Sequence, residues 1–111
     1  ITHDLHLAAQ VCDRIAVMHA GHVVETAPTE RLFREARHPY TARLIAATPA
    51  GHGDLAEIQS IPGNLPDLRA AELPACRFSR RCERYESPCD APDLRPAAVG
   101  EEHTVACRRP L

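Results

Sequence analysis

Lysine is absent from the 111 residues, methionine occurs once, as Met18, and all thirteen basic residues are arginines. Without lysine the chain cannot hold a phosphate-binding loop of the usual glycine-rich kind, whose lysine reaches the phosphates. The net charge is −2 and acids are interspersed with the arginines, so no basic face for nucleic acid is expected. No apolar run approaches the roughly 20 residues of a membrane span, so the expectation is a soluble chain able to dock on a membrane protein. No apolar leader opens the sequence, and a fifth cysteine, Cys12, lies in a helical pattern; both favour a reducing compartment over disulfides. Length bounds the rest: one domain or part of one, too short for a large enzyme. The opening ITHDL reads as a strand end running into a helix, and the expectation is a piece of a longer protein.

What is present in quantity is cysteine and proline toward the C-terminus. Cys76, Cys82, Cys89 and Cys107 are separated by five, six and seventeen residues, in a proline- and arginine-rich setting with little apolar periodicity. Such a segment cannot offset its ordering entropy by apolar burial alone, so it is disordered or stapled. Two disulfides, structural zinc, an iron–sulfur cluster and four free thiols are all open. Zinc usually draws its ligands from pairs two to four residues apart, and no pair here is that close. A cluster, reached by ligands on longer loops, fits the spacing best. Arg77, Arg80, Arg81 and Arg84 crowd the first three cysteines, where guanidinium groups would offset an anionic metal–thiolate core.

Along the chain, Ile1 and Thr2 close a buried strand, with His3 at its C-terminal end, where ligands bind in open α/β sheets. Asp4 reads as an N-cap for a helix whose apolar face carries Leu5, Ala8, Ala9 and Cys12, with Cys12 expected to be a buried small hydrophobe. RIAVMHAGHVVETA predicts a hairpin around Ala20-Gly21, with Gly21 supplying positive φ. Pro28 opens a helix over TERLFREA that packs Leu32 and Phe33 inward. His38-Pro39 breaks the chain before a further helix with Tyr40, Leu44 and Ile45 on one face, stopped by Pro49. Eight of the ten prolines lie at or after Pro49, and a boundary is placed there. IQSIPGNLPDL offers one extended run and a turn at Pro62-Gly63. HTVAC predicts a short strand that returns Cys107 to the other three cysteines.

The succession ITHD, DRIAVMHAGHVVETAPTERLF and HPYTARLIAATP closely resembles the C-terminal third of ATP-binding subunits of ABC transporters. HPYT, IPGNLPDL and the four cysteines are similar to the oligopeptide/dipeptide importer branch. The resemblance covers essentially the whole chain. It implies an α+β fragment of an α/β P-loop NTPase fold: residues 1–48 end the nucleotide-binding domain as helix, β-hairpin and two helices, and residues 49–111 form an irregular cysteine-rich C-terminal region. It also implies that His3 is the switch histidine that contacts the γ-phosphate of ATP and arranges the attacking water. The other histidines keep structural or surface readings, with His38 packing at a helix start.

The family's phosphate loop, signature motif and Mg²⁺-binding acids precede the switch histidine and are absent here, so this chain is not expected to hydrolyse ATP by itself. The resemblance further implies ATP and Mg²⁺ in the intact subunit, and a four-iron, four-sulfur cluster on Cys76, Cys82, Cys89 and Cys107, as a structural staple before a redox regulator. Zinc or an unmetallated tail are the alternatives. Implied partners are a second ATP-binding subunit, transmembrane permease subunits and, indirectly, a peptide-binding protein, at the cytoplasmic face of the membrane. Cargo, whether dipeptide, longer peptide or nickel complex, is chosen elsewhere. Two other classes stand beside this one: a stand-alone iron–sulfur or zinc module, and a truncated gene product without activity.

Overall fold

The computed structural model describes Thr2 and residues 5–47, 75–91 and 94–111. Helix α1 (Leu5–Val11) leads into strand β1 (Arg14–His19), which turns back as β2 (His22–Pro28). The turn takes positive φ at both central residues, 50° at Ala20 and 86° at Gly21, as a two-residue hairpin following the strand twist requires. Helices α2 (Thr29–Arg34) and α3 (Pro39–Ala46) follow. Pro28 ends β2 with extended ψ of 143° and stands at the N-cap of α2 rather than inside its first turn. These elements are the helix, hairpin and two helices expected from the sequence.

The cysteine-rich region holds two short 3-10 helices, Ser79–Arg81 and Ser87–Asp90, then strands β3 (Ala97–Gly100) and β4 (His103–Val105). The expected strand at HTV is therefore β4. It pairs antiparallel with β2, Glu25 opposite Val105, and gives a four-stranded sheet in the order β1-β2-β4-β3. The first and last strands among the described residues thus share one sheet.

One irregularity decides which side chains face inward. Val17 pairs with Glu25 but Met18 pairs with Val23, so Val24 is an extra residue in β2. This bulge shifts the alternation by one place. Val24 and Glu25 are consecutive yet both buried, whereas Met18 and Val23 are exposed on the opposite face. The apolar core consists of Ala8, Ile15, Val17, Val24, Ala27 and Leu32, with Leu5, Phe33, Tyr40 and Leu44 packed around it.

Cys12 departs from expectation. α1 closes at Val11, the Cys12 N–H donates to the Ala8 carbonyl at 2.9 Å in the last turn, and its side chain is exposed. The apolar spacing ran one residue past the helix. His3, Asp4, the boundary at Pro49 and the IPGNLPDL segment lie outside the described residues.

Candidate functional site: a four-cysteine pocket

Cys76, Cys82, Cys89 and Cys107 all line one cavity, together with His38, Pro39, Phe78, Ser79, Arg84, Arg108 and Arg109. Three come from the loops and short helices of residues 75–91. The fourth arrives with β4: Val105 is in the sheet, the Ala106 N–H donates to the Val24 carbonyl at 2.8 Å, and Cys107 follows. All four are free thiols.

The sulfurs sit in a recurring backbone arrangement. The Arg84 N–H points at Cys82 Sγ at 3.4 Å and the Arg109 N–H at Cys107 Sγ at 3.3 Å. The Phe78 N–H stands in the same relation to Cys76, two residues earlier. An amide two residues ahead of a cysteine stabilises negative charge on its sulfur, and hydrogen bonds to sulfur tune metal–thiolate centres. Burial, against the help of the Phe78 N–H, pushes the Cys76 thiol up to about 11, and the other three thiols push the same way. Cys107 is raised by burial, with its Arg109 N–H opposing. Cys76 and Cys107 therefore hold their protons at neutral pH, and a metal binding them would displace those protons.

Arginine does surround the pocket, but not as the sequence suggested. Of the four arginines singled out, only Arg84 lines it, joined by Arg108 and Arg109 from the other side. Arg77 reaches away and donates to the Ala20 carbonyl at the hairpin turn, and Arg81 lies over the Phe78 ring at 5.7 Å. Arg84 Nε donates to the Arg109 carbonyl at 3.1 Å while Arg109 Nη1 donates to the Arg84 carbonyl at 3.0 Å. This reciprocal clasp, with Arg109 also 2.9 Å from Glu86, ties the Cys82 loop to the Cys107 segment. Asp90 likewise joins the two 3-10 helices by accepting from Ser79 Oγ at 2.8 Å and Tyr85 Oη at 2.6 Å.

The pocket is docked on the sheet by aromatics and by one buried carboxyl. Phe78, 2% exposed, meets the rings of Tyr40 at 5.2 Å and His19 at 5.3 Å. Glu25, turned inward by the bulge, accepts from the backbone N–H groups of Arg37 at 2.8 Å and His38 at 2.9 Å, and lies 2.5 Å from His103 Nε2. It thereby fixes the entry to α3 and pins β4 beside β2. His38 caps α3 through Nδ1, which accepts the Tyr40 N–H at 3.0 Å, as expected of a helix-start residue. Burial lowers His38 to about 4, against the pull of Glu25. The Glu25–His103 pair was missed from sequence; the only signal was a glutamate inside a β-rich run, which reads as solvent-facing unless a bulge intervenes.

A metal group fits these residues by their chemistry. Four soft sulfurs line one cavity with backbone donors on three of them, and Nε2 of His38 is buried there with no hydrogen-bond partner among the described residues. Among the described residues no three histidine, cysteine or acidic side chains are gathered closely enough to hold a single metal ion. The described helices include none long and apolar enough to cross a membrane.

Fold and pocket together define a small α+β unit in which a hairpin and two helices carry a cysteine-lined C-terminal region. The chain belongs to the family described as the C-terminal region of oligopeptide/dipeptide transporters, which matches residues 24–89. It is 41% identical over 92 residues to a peptide import ATP-binding protein of Brucella abortus, covering 83% of this chain and 27% of that protein. A peptide import ATP-binding protein of Brucella ovis is 38% identical over 117 residues, covering 98% of this chain and 34% of the relative. The dipeptide transport ATP-binding protein DppD of Bacillus subtilis is 38% identical over 107 residues, with 96% and 32% covered. The chain thus spans about a third of the length of such relatives.

Proposed function

We propose that this chain is the C-terminal portion of an ABC transporter ATP-binding subunit that couples ATP hydrolysis to import of oligopeptides or dipeptides, and that its four cysteines hold a four-iron, four-sulfur cluster. The observation that carries the second part is the convergence of Cys76, Cys82, Cys89 and Cys107 on one cavity. The first part rests on the family and on relatives named for peptide and dipeptide import.

In this reading residues 1–48 complete a nucleotide-binding domain. His3 acts as the switch histidine and donates to the γ-phosphate, whose transfer is catalysed mainly by positioning and charge stabilisation. The phosphate-binding lysine and the Mg²⁺-binding acids belong to other parts of the subunit, and permease subunits and a second ATP-binding subunit complete the importer. When bound, the cluster supplies a covalent cross-link among four chain segments and a one-electron centre. The protein's own contribution is to collect the thiolates, shield them with Phe78 and offset their charge with Arg84, Arg108 and Arg109.

Anaerobic purification of the full-length subunit tests the cluster. Iron and acid-labile sulfide in near-equal amounts, lost in Cys82→Ser, are expected; zinc or no metal would overturn it. In the same protein His3→Ala lowers ATP turnover roughly 100-fold with ATP binding retained, and unchanged turnover would remove His3 from the catalytic machinery.

A further inference from the structure

The cysteine pocket contains a second functional group besides its sulfurs. His38 is 1% exposed and lines the same cavity as all four cysteines. Its position is determined from three directions. Pro39 follows it at the first turn of α3, its backbone N–H is held by Glu25 Oε1 at 2.9 Å, and its Nδ1 accepts the Tyr40 N–H at 3.0 Å.

That last bond settles the ring's tautomer. A nitrogen that accepts from an amide cannot also carry a proton toward it, so Nδ1 is the bare nitrogen and the ring proton sits on Nε2. Nε2 is therefore a donor, fully buried, with no partner among the described residues. A buried donor of this kind is rare unless it serves something. Capping does not account for it. Serine, asparagine or aspartate cap a helix as well as histidine or better, and the cap uses Nδ1 alone.

The cavity's chemistry indicates the acceptor. Arg84, Arg108 and Arg109 only donate, Pro39 and Phe78 are apolar in their side chains, and Ser79 Oγ is turned to Asp90. Of the side chains lining the cavity, the cysteine sulfurs are the acceptors left, and Nε2 bonds none of them until a sulfur-bearing group is bound.

We infer that His38 is the pocket's proton donor: its Nε2–H hydrogen-bonds a sulfur of the metal–thiolate group held by Cys76, Cys82, Cys89 and Cys107, either a cysteine Sγ or a bridging sulfide. This rests on the cluster reading above. A donor on sulfur stabilises the more negative, reduced state. His38 thus positions charge at the centre without ligating it, and couples the start of α3 to the electron count of the cluster.

The test uses the full-length subunit, purified anaerobically and reduced with dithionite. In the wild type, electron–nuclear double resonance on the reduced cluster should show a weakly coupled nitrogen from 15N-histidine and an exchangeable proton that disappears in D2O. In His38→Asn, which keeps a capping oxygen but is too short to reach, both signals should vanish with iron and sulfide retained. The reduced-to-oxidised ratio at fixed potential should fall about tenfold, equivalent to about 59 mV for one electron. Wild-type protein without iron and sulfide would overturn the cluster reading and this inference with it. A wild-type cluster with no histidine nitrogen or exchangeable proton coupled to it, and an unchanged ratio in the variant, would overturn the inference alone. A strongly coupled, directly bonded nitrogen would make His38 a ligand and equally overturn it. If His38→Asn loses its iron, the wild-type spectra decide.

Discussion

His19 ends β1 with its side chain 2% exposed, wedged between Tyr40, 4.5 Å away ring to ring, and Phe78. Both its ring nitrogens are buried without partners among the described residues. Burial, then the charges of Arg81, Arg77 and His22, lower it from 6.5 to about 4. The unfolded chain therefore binds a proton between these values that the folded chain does not, so stability rises with pH across this window. His19's contribution is fully present above about 6.5, falls as the pH drops toward about 4, and changes no further below it. Melting temperature measured from pH 7 to pH 4 should decline, and His19→Phe, which keeps a ring between Tyr40 and Phe78, should flatten the decline. Parallel profiles for both proteins would show that His19 does not titrate on unfolding.

At the scale of elements, Glu25 does what the short strands cannot do alone. β4 has three residues and only two register pairs with β2, and α3 opens at Pro39. One carboxyl bridges all three, through the N–H groups of Arg37 and His38 and the ring of His103. Removing it strands buried donors, each worth about 1–3 kcal/mol when left unpaired. Glu25→Ala is expected to cost about 3 kcal/mol in denaturant titration and to release Cys107 from the pocket, read as faster alkylation of that thiol. A loss under 1 kcal/mol would mean that β4 is held by its backbone bonds instead.

The same elements show what a sequence reveals and what it hides. The β1–β2 hairpin was legible because Ala20-Gly21 separates two β-rich runs, and α3 because His38-Pro39 marks its start. Local chemistry fixes both. The bulge at Val24 leaves no local sign, and nothing in the run around Glu25 marks that residue as buried. Its partner His103 lies 78 residues away, and such pairing arises only once β4 docks. β3, Ala-Ala-Val-Gly, lacks strand alternation and is a strand only because β4 pairs with it. The cysteines were legible as a set, whereas the role of His38 depended on a cavity that no spacing encodes.

At the scale of the molecule, the main apolar cluster among the described residues is drawn from the first 47, and the cysteine region adds Phe78, Cys89, Val105 and Ala106 to the interior. Its remaining order comes from single contacts: the Arg84–Arg109 clasp, Asp90 between the two 3-10 helices, and Arg77 on the hairpin turn. Single hydrogen bonds of this kind contribute about 0.5–1.5 kcal/mol each, so a region built this way is expected to lean on whatever its cysteines hold. A group that binds only the folded chain, present at 100 times its dissociation constant, adds about 2.7 kcal/mol. For a domain of this size that corresponds to roughly 10 °C or more in melting temperature. If the cysteines hold the proposed iron group, stripping it from the purified protein with an oxidant and chelator should lower the melt by that amount. Hydrogen exchange should quicken across residues 75–91 and 107–111 while β1, β2 and α2 stay protected, because their core does not involve the pocket. Uniform loss of protection would instead tie the front of the chain to the cysteines, through Phe78 and its contacts with His19 and Tyr40. An unchanged melt would mean that the aromatic dock alone holds the region in place and that the cysteines carry no structural role.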